Sequence, residues 1–172
     1  MSRALIRLAR PSEANLLPAI ERSAGQLFRT LPDLAWIADD RVAEPEDYAE
    51  LIALGLVWVA VDDDDRPVGM VAAETEEASL HIQELDVGAP DQGRGLGRAL
   101  LTVALEAARQ RGLADLTLTT FRDVAWNAPF YERFGFRILE PHDTPPRLTG
   151  KLEAEIARGL PADRRCAMRF SL

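Results

Sequence analysis

Apolar residues at the start of the chain change from alternating to helical spacing. Ile6 and Leu8 alternate with Arg7, which predicts a short first strand. A helix opening between Pro11 and Asn15 follows, because the next apolar residues repeat every three or four positions: Leu17, Ile20, Ala24, Leu27 and Phe28. A proline is tolerated only near the first turn of a helix, so Pro18 favours Asn15 as the cap or implies a kink.

A second helix is predicted from residue 45 to about residue 53, ending at Gly55. Two apolar runs at 56–61 and 67–73 then indicate the strands of a hairpin. The four aspartates at 62–65 are interpreted as its polar turn, because the spacing and the glycine of a calcium-binding EF-hand loop are absent.

The third strand of this region, predicted at 79–87, contains a change of phase. Its first apolar residues, Leu80 and Ile82, would face one side, whereas Leu85 and Val87 would face the other. One extra residue near 83–84 would return all four to the same face, so we predict a β-bulge there. A strand buried on both faces would show the same pattern, but its polar side chains would then need buried partners: His81, Glu84 and Asp86.

The rest of the chain alternates helices and strands. The spacing predicts a helix to about residue 111, then elements at 113–121 (strand), 127–134 (helix), 136–139 (strand), 148–157 (helix) and 167–170 (strand). A hairpin followed by a strand–helix–strand unit indicates an α/β (α+β) fold with a mixed sheet covered by helices. No repeat or low-complexity linker divides the chain, so residues 1–172 are predicted to form a single domain.

The amino-acid composition limits the classes of protein to which the chain can belong. The chain is 47% hydrophobic and 28% charged, as in soluble globular proteins, and its net charge of −8 argues against nucleic-acid binding. No apolar run reaches membrane-spanning length and the first residues lack a signal-peptide pattern, so we expect a cytoplasmic protein that does not associate with membranes. The chain has a single cysteine, Cys166, so it can form neither an intrachain disulfide nor a metal site made of several cysteines. We therefore expect no bound metal.

Residues 91–101, DQGRGLGRALL, have the glycine spacing of a loop between a strand and a helix. A dinucleotide-binding fingerprint would need a third glycine where Arg98 stands, and a Walker A loop would need a Gly-Lys-Ser/Thr sequence that is absent. The helix that follows carries a regular apolar series: Leu96, Ala99, Leu100, Val103, Ala104, Ala107 and Ala108. Amides at such a helix start favour an anion. A tight turn that binds nothing is the alternative.

Two sequence blocks resemble the GNAT superfamily of acyl-CoA-dependent N-acyltransferases. The first is Leu-Asp-Val at 85–87 with Gln-Gly-Arg-Gly-Leu-Gly at 92–97, and the second is Asn-Ala-Pro-Phe-Tyr-Glu-Arg-Phe-Gly-Phe at 127–136. The resemblance implies a mixed, mostly antiparallel central sheet with a bulged fourth strand, flanked by helices. It is weakest in the first 55 residues and after about residue 141, where the family usually contacts the acceptor.

By this resemblance, the residues around the first block bind acetyl-CoA. Leu85, Asp86 and Val87 would face the pantetheine arm, and the N–H of Val87 would polarise the thioester carbonyl as an oxyanion-hole donor does. Amides of the loop would hold the pyrophosphate, with added charge from arginines: Gln92, Gly93, Arg94, Gly95, Leu96, Gly97 and Arg98. Asn127 would lie beside the pantetheine or the leaving sulfur, and Phe130 is assigned to the same cofactor-binding group.

The resemblance also implies catalytic roles. Tyr131 matches the position of the family's usual general acid, although a tyrosine between two phenylalanines can equally be a core residue. For the general base, His81 and Glu84 are both candidates, because family members place bases at either strand position and some use ordered water. A histidine has a suitable pKa without tuning, and a glutamate can act through water.

The acceptor is the least determined part of the interpretation. Phe28 and Trp36, from the first helix and its exit loop, and Thr120 and Phe121, at the end of the fifth strand, are the candidate acceptor-binding residues. The chain is thus expected to be an N-acetyltransferase that acts in a ternary complex on a small-molecule amine. A protein or peptide amine and a non-catalytic acyl-CoA-binding regulatory module are the alternatives. Family members are frequently homodimers.

Overall fold

Seven strands and five helices make up the computed structural model, which describes residues 5–172. The strands are Leu5–Leu8 (β1), Val57–Val61 (β2), Pro67–Glu76 (β3), Ser79–Val87 (β4), Asp115–Phe121 (β5), Arg137–Ile138 (β6) and Arg165–Ser171 (β7). The helices are Leu17–Gly25 (α1), Pro45–Ala53 (α2), Leu96–Gln110 (α3), Ala128–Phe134 (α4) and Pro146–Ala157 (α5).

The strands form one mixed sheet in the order β1-β2-β3-β4-β5-β7-β6. β4 and β5 are parallel, with Ser79 opposite Asp115 and His81 opposite Thr117, whereas β1–β2, β2–β3, β5–β7 and β6–β7 are antiparallel. The predicted mixed, mostly antiparallel sheet with flanking helices is therefore confirmed. The bulge expected near residues 83–84 stays a prediction; a register shift does occur in β2, between Ala60 and Val61.

Two compact units divide the described chain. The first contains the residues up to Glu74 together with 84–107, and the second contains 75–83 together with 108–172. The first unit therefore holds β1, α1, α2, β2, most of β3, the end of β4 and most of α3. The second holds the start of β4, then β5, α4, β6, α5 and β7. The sequence predicts a single domain over residues 1–172, and this division into two units does not decide whether that prediction is right.

The core of the first unit lies between α1, α2 and one face of β2 and β3. Alternate strand residues point into it because side chains in a strand change face at every residue. Its buried members are Ala9, Ala14, Leu17, Ile20, Tyr48, Ile52, Val57, Val59, Val61, Met70 and Ala72. All five residues of β2 are buried, so this strand is covered on both faces.

The hairpin turn between β2 and β3 is built by aspartates, as predicted. The N–H of Asp62 donates to the carbonyl of Arg66 (3.0 Å), and Asp62 Oδ1 accepts from the N–H groups of Asp64 and Arg66. Asp65 adopts a left-handed conformation with φ of 61°. Arg7 and Arg10 both form ion pairs with Asp65, at 2.9 and 2.7 Å, and they lower the pKa of its carboxyl group.

Helix boundaries agree with the sequence prediction to within a few residues, with two corrections. Pro18 lies in the first turn of α1, as expected, but the cap is Leu16 rather than Asn15, because residues 11–16 form a 3₁₀ segment that leads into the helix. The buried face of α3 also differs from the predicted series. It includes Leu101 and Leu105 in addition to Leu100 and Ala104, so the apolar stripe is wider than the sequence series indicated.

The second unit contains a partly buried polar network that begins at Arg147 of α5. Its guanidinium group lies 2.9 Å from Glu76 Oε2, 2.7 Å from Ser79 Oγ and 3.3 Å from Thr117 Oγ1. Ser79 also donates to Asp115. Since buried polar groups need hydrogen-bond partners, this network satisfies the polar side chains at the start of β4 and β5.

Aromatic packing fixes the end of α4 in the same unit. Gly135 has φ of 123°, and a Cβ there would lie 2.8 Å from the ring of Phe170, so this position requires glycine. Phe136 packs against Phe170 with ring centroids 5.5 Å apart. Within residues 5–172, none of the helices has the length and apolar character needed to cross a membrane.

Candidate active site

The glycine loop leads from β4 into α3 and has an open inner surface. Gly93 and Gly95 have φ of 74° and 80°, the left-handed region that glycine adopts without strain. A Cβ built on either residue would have nothing within 4 Å, so space is open beside this backbone. These features fit a pyrophosphate that approaches the backbone at a helix N-terminus.

Hydrogen bonds hold the loop to the end of β4 and to the residue that follows it. Gln92 Nε2 donates to the carbonyl oxygen of Val87 at 2.9 Å, and the N–H of Asp91 donates to the carbonyl of Gly88 at the same distance. Arg94, expected to add charge to the pyrophosphate, forms an exposed ion pair with Asp91 at 2.5 Å. Arg98 is exposed and Leu96 is buried, so the two predicted loop residues differ in their access to a ligand.

The Leu-Asp-Val segment at the end of β4 has two chemically different faces. A Cβ on Gly69 of β3 would meet Asp86 O at 3.0 Å, Val87 Cγ2 at 3.3 Å and Leu100 Cδ1 at 3.4 Å, which places the Val87 side chain on the face that α3 covers. Because side chains alternate along a strand, Asp86 points to the opposite face. That face is covered by α1 and α2.

A phenol and three carboxyl groups meet on this second face. Tyr48 of α2, only 1% exposed, donates a hydrogen bond of 2.6 Å from Oη to Glu21 Oε2 of α1, which also accepts from the N–H of Ala43 at 3.0 Å. The pKa of Tyr48 is raised, first by burial and then by the nearby charges of Glu84 and Glu21. The phenol therefore stays protonated and acts as a donor to Glu21.

Asp86 is the most perturbed acid of this group. The pKa of its carboxyl group is raised to about 7, first by burial and then by the charge of Glu21, while a hydrogen bond with the Glu84 side chain acts in the opposite direction. Among the described residues, nothing donates a hydrogen bond to its buried Oδ2 atom. A carboxyl group with such a pKa exchanges protons near neutral pH.

His81, one of the two predicted bases, lies in the buried network of the second unit. It is 3% exposed, and its Nδ1 lies 3.0 Å from Thr117 Oγ1, which Arg147 also contacts. Glu84, the other candidate, is half-buried in the first unit beside Asp86. The two predicted bases thus have different surroundings, His81 in a packed structural network and Glu84 in a carboxyl cluster.

Asn127 immediately precedes α4 and Tyr131 lies within that helix, both in the second unit. Tyr131 is 8% exposed, and its ring packs edge-on against Phe130 and Phe136, with centroids 5.2 and 5.6 Å away. The carbonyl of Asn127 accepts from the N–H groups of Phe130 and Tyr131. Asn127 Oδ1 is buried, and no described residue donates to it, as expected of an atom available to a ligand amide or thiol.

The four predicted acceptor-binding residues differ in exposure. In the first unit Trp36 is 42% exposed and Phe28 is half-buried, and the two lie in 3₁₀ segments joined by an Arg29–Asp39 ion pair. In the second unit Thr120 and Phe121 are buried. Arg165 Cζ lies 4.6 Å from the ring centroid of Phe121, a cation–π contact that covers this face of the ring.

The only cysteine lacks the properties of a nucleophile. Cys166 is buried, and burial raises the pKa of its thiol to about 11, so the reactive thiolate is scarce at neutral pH. Among residues 5–172, no group of three or more His, Cys, Asp and Glu side chains is arranged to hold a metal ion.

The side-chain cluster on the second face was not predicted from the sequence. The resemblance assigned Asp86 to the pantetheine through its backbone and gave no role to Glu21 or Tyr48. These two residues are 27 positions apart and belong to different helices, so no local spacing links them. The one available signal was a tyrosine on the apolar face of a short helix, since a buried Tyr hydroxyl usually has a hydrogen-bond partner.

Comparisons with known proteins agree with this geometry. The family model described as "Acetyltransferase (GNAT) family" matches residues 26–136. An uncharacterised protein, YxbD of Bacillus subtilis, is 30% identical over 112 residues, which are 65% of this chain and 68% of that protein. A mycothiol acetyltransferase of Geodermatophilus obscurus is 32% identical over 124 residues, 67% of this chain but only 39% of that longer protein.

Solved structures share the fold at low sequence identity. The crystal structure of PaiA N-acetyltransferase from Thermoplasma acidophilum in complex with coenzyme A superposes with a TM-score of 0.73. The two chains are 15% identical, and the match covers 99% of this chain and 100% of that one.

Proposed function

The chain belongs to the GNAT family of acetyltransferases, and from this premise we propose that it moves the acetyl group of acetyl-CoA directly to a primary amine in a ternary complex. Acetyl-CoA is the acyl donor of this family of enzymes. The preferred acceptor in our proposal is a small molecule. The matched segment covers 39% of the mycothiol acetyltransferase, so we do not transfer that protein's substrate to this chain.

The observation that carries the proposal is the open glycine loop. Gly93 and Gly95 leave free space beside the backbone that leads into α3, as a bound pyrophosphate requires. Amides of residues 92–97 would hold the pyrophosphate, and Arg98 would contribute positive charge. Leu85 to Val87 would contact the pantetheine through their backbone, and the unsatisfied Asn127 Oδ1, with Phe130, would serve the same arm or the sulfur.

Acetyl transfer to an amine poses two proton problems. An alkylammonium has a pKa near 10.4, so it must lose a proton before its nitrogen can attack the thioester carbon. As the C–S bond breaks, the thiolate leaving group benefits from a proton donor. In our proposal the N–H of Val87 stabilises the developing oxyanion and Tyr131 protonates the sulfur.

For the base, the surroundings favour Glu84 over His81. Glu84 is half-buried beside Asp86, and its side chain hydrogen-bonds to that carboxyl group. His81 is only 3% exposed and lies in a packed network with Thr117, so an acceptor amine has less access to it than to the half-buried Glu84. Among the acceptor-binding candidates, the exposed Trp36 and the half-buried Phe28 are easier for a ligand to reach than the buried Thr120 and Phe121.

The test of this proposal is release of CoA thiol from acetyl-CoA, followed with a thiol reagent across a panel of amines, amino acids and peptides. Calorimetry with CoA measures donor binding separately. Turnover with small amines supports the proposal, and turnover with peptides alone would identify a protein or peptide amine as the acceptor. CoA binding without turnover on any acceptor would instead favour the regulatory module. We also predict that the protein forms a homodimer, and light scattering would measure its mass in solution.

A further inference from the structure

Lysine is almost absent from this chain. Of its 20 lysine and arginine residues only one, Lys151 in α5, is a lysine. An arginine guanidinium group stays protonated at physiological pH, whereas a lysine ammonium group can lose its proton and then attack a thioester. Because the chain belongs to a family that uses acetyl-CoA, Lys151 is the one side-chain amine that this donor can acetylate.

Lys151 forms an ion pair at the end of β3 and is partly exposed to solvent. Its Nζ atom lies 2.8 Å from Oε1 of Glu76, and 29% of its side chain is exposed. Arg147, one turn earlier in α5, lies 2.9 Å from the other carboxylate oxygen, Oε2. Two cations of α5 therefore contact one carboxylate, and a reagent in solution has access to the lysine.

The ion pair keeps Lys151 in the form that does not react. An ammonium nitrogen has no lone pair for attack on a thioester, and a carboxylate at hydrogen-bond distance favours this protonated form. Acetylation of Lys151 therefore requires that its contact with Glu76 be broken. A detachment of α5 from the sheet would break this contact.

Polar contacts attach both ends of α5 to the sheet. Near its start Arg147 donates to Ser79 Oγ at 2.7 Å, and near its end Glu155 accepts from Arg165 at 2.8 Å. Gly150 lies inside the helix, where glycine is unfavourable. A helix with few buried apolar contacts opens more readily than one with a wide apolar face. The apolar cluster beneath α5 is small: Leu139, Leu148, Leu152 and Ala167.

We propose that Lys151 is an acetylation site of this chain, protected by Glu76 while α5 is docked and accessible to acetyl-CoA when α5 detaches. An acetylated Lys151 is neutral and no longer forms the ion pair, so the modification weakens the attachment of α5. Glu76 keeps Arg147 as a partner, so its charge stays compensated in the modified protein. The inference uses the donor of the family and does not depend on the amine acceptor proposed above.

The modification step is an acyl transfer that balances in atoms and electrons. Lys151 first gives one proton to solvent, and its nitrogen lone pair then forms a C–N bond with the thioester carbon of acetyl-CoA. The C–S bond breaks with its electron pair on sulfur, which takes a second proton from the nitrogen. One acetyl-lysine, one CoA thiol and one free proton result from one lysine ammonium and one acetyl-CoA.

Mass spectrometry of the full chain tests the site. Wild type, Glu76→Gln and Arg41→Lys are incubated with acetyl-CoA at pH 8, and acetyl groups are mapped on tryptic peptides. The control position is suitable because the Arg41 side chain is 78% exposed and lies 3.5 Å from Glu44. We expect Glu76→Gln to raise the acetylation rate of Lys151 about tenfold, because loss of a neighbouring carboxylate favours the deprotonated amine. The amine introduced by Arg41→Lys should react faster than Lys151 of the wild type.

The outcomes separate the site, its protection and the source of the transfer. If Lys151 stays unmodified in Glu76→Gln while the amine introduced by Arg41→Lys is acetylated, the proposal is wrong. Equal rates at Lys151 in wild type and Glu76→Gln would overturn its protection by the ion pair. Both sources of transfer support the site: a rate that rises with protein concentration assigns it to a second copy of the chain, and a constant rate assigns it to acetyl-CoA alone. Acetylated Lys151 in a protein that releases no CoA with any added amine supports the site and removes the proposed function.

Amide hydrogen exchange measures the effect on α5. In Lys151→Gln, which is neutral like the acetylated residue, the α5 amides should exchange about threefold faster, the size expected for loss of a partly exposed ion pair. Lys151→Arg keeps the charge and should match the wild type, and unchanged exchange in β7 shows that the sheet is intact. If α5 of Lys151→Gln exchanges at the wild-type rate, the modification does not act on this helix and that part of the proposal is wrong.

Discussion

Tyr48 Oη and Glu21 Oε2 lie 2.6 Å apart, in a hydrogen bond between α2 and α1 in which the phenol is the donor. This contact fixes the carboxylate of Glu21 near Asp86, whose pKa it raises together with burial. It therefore links α1 and α2 to the buried carboxyl group at the end of β4.

Asp86→Asn should stabilise the folded protein at pH 8 and have little effect at pH 4. The folded-state pKa, raised to about 7, lies above the unfolded value near 3.9, so the folded state binds more protons between these pH values. The contribution of Asp86 to stability thus falls as pH rises from 4 to 7 and stays low above 7. The gain in the free energy of unfolding at pH 8 is on the order of 4 kcal/mol. Urea unfolding at pH 4, 6 and 8 measures it, and a gain independent of pH would contradict the raised pKa.

Tyr48→Phe removes the donor to Glu21 and leaves the aromatic packing in place. We expect a loss of about 1 to 3 kcal/mol in stability, since a buried acceptor loses its partner. Because the charges of Glu84 and Glu21 both act on this phenol, kcat/KM for an accepted amine should fall and the low-pH limb of the rate profile should shift. A fall in stability with an unchanged pH profile would reduce Tyr48 to a purely structural role.

Gly95→Ala should weaken CoA binding at least tenfold, and Gly112→Ala should not. Both glycines have positive φ, 80° and 68°, and neither has an atom within 4 Å of an added Cβ. The backbone strain of the two substitutions is therefore similar, on the order of 1 kcal/mol. Only Gly95 lies in the predicted pyrophosphate loop. Calorimetry with CoA and thermal unfolding of both variants make the comparison, and equal CoA affinities would remove the loop from the donor site.

Tyr131→Phe should lower kcat by about 10² to 10⁴-fold, the usual contribution of an acid–base residue. CoA affinity should stay close to that of the wild type, because the ring contacts with Phe130 and Phe136 do not involve the hydroxyl group. Steady-state kinetics and calorimetry on the same preparation test this assignment. If kcat does not change, Tyr131 contributes only to core packing through its ring.

His81→Asn distinguishes the two bases predicted from the sequence. The asparagine can keep a polar group near the position of Nδ1, and so the contact with Thr117 Oγ1. We expect the low-pH limb of the rate profile to persist in this variant, since Glu84, the favoured base, is unchanged. A lost limb in a variant of native stability would instead identify His81 as the base.

Much of the fold followed from local patterns. The bounds of α2 and β4 agree with the predicted spans, and Pro18 lies in the first turn of its helix. Hydrophobic spacing determines these elements because neighbouring residues share one periodicity. The cap of α1 and the wide buried face of α3 were predicted incorrectly, since a preceding 3₁₀ segment and contacts from other elements decide them.

The sequence by itself identified the family of this protein and, with it, the acyl donor acetyl-CoA. A loop spacing and a distant Asn-x-Pro-Phe-Tyr block identify the family, because backbone recognition of a pyrophosphate needs glycines at fixed positions. Only the tertiary structure brought Glu21, Tyr48 and Asp86 together, from two helices and one strand. A carboxyl pKa depends on burial and on charges distant along the chain, and neither quantity is encoded in a local pattern.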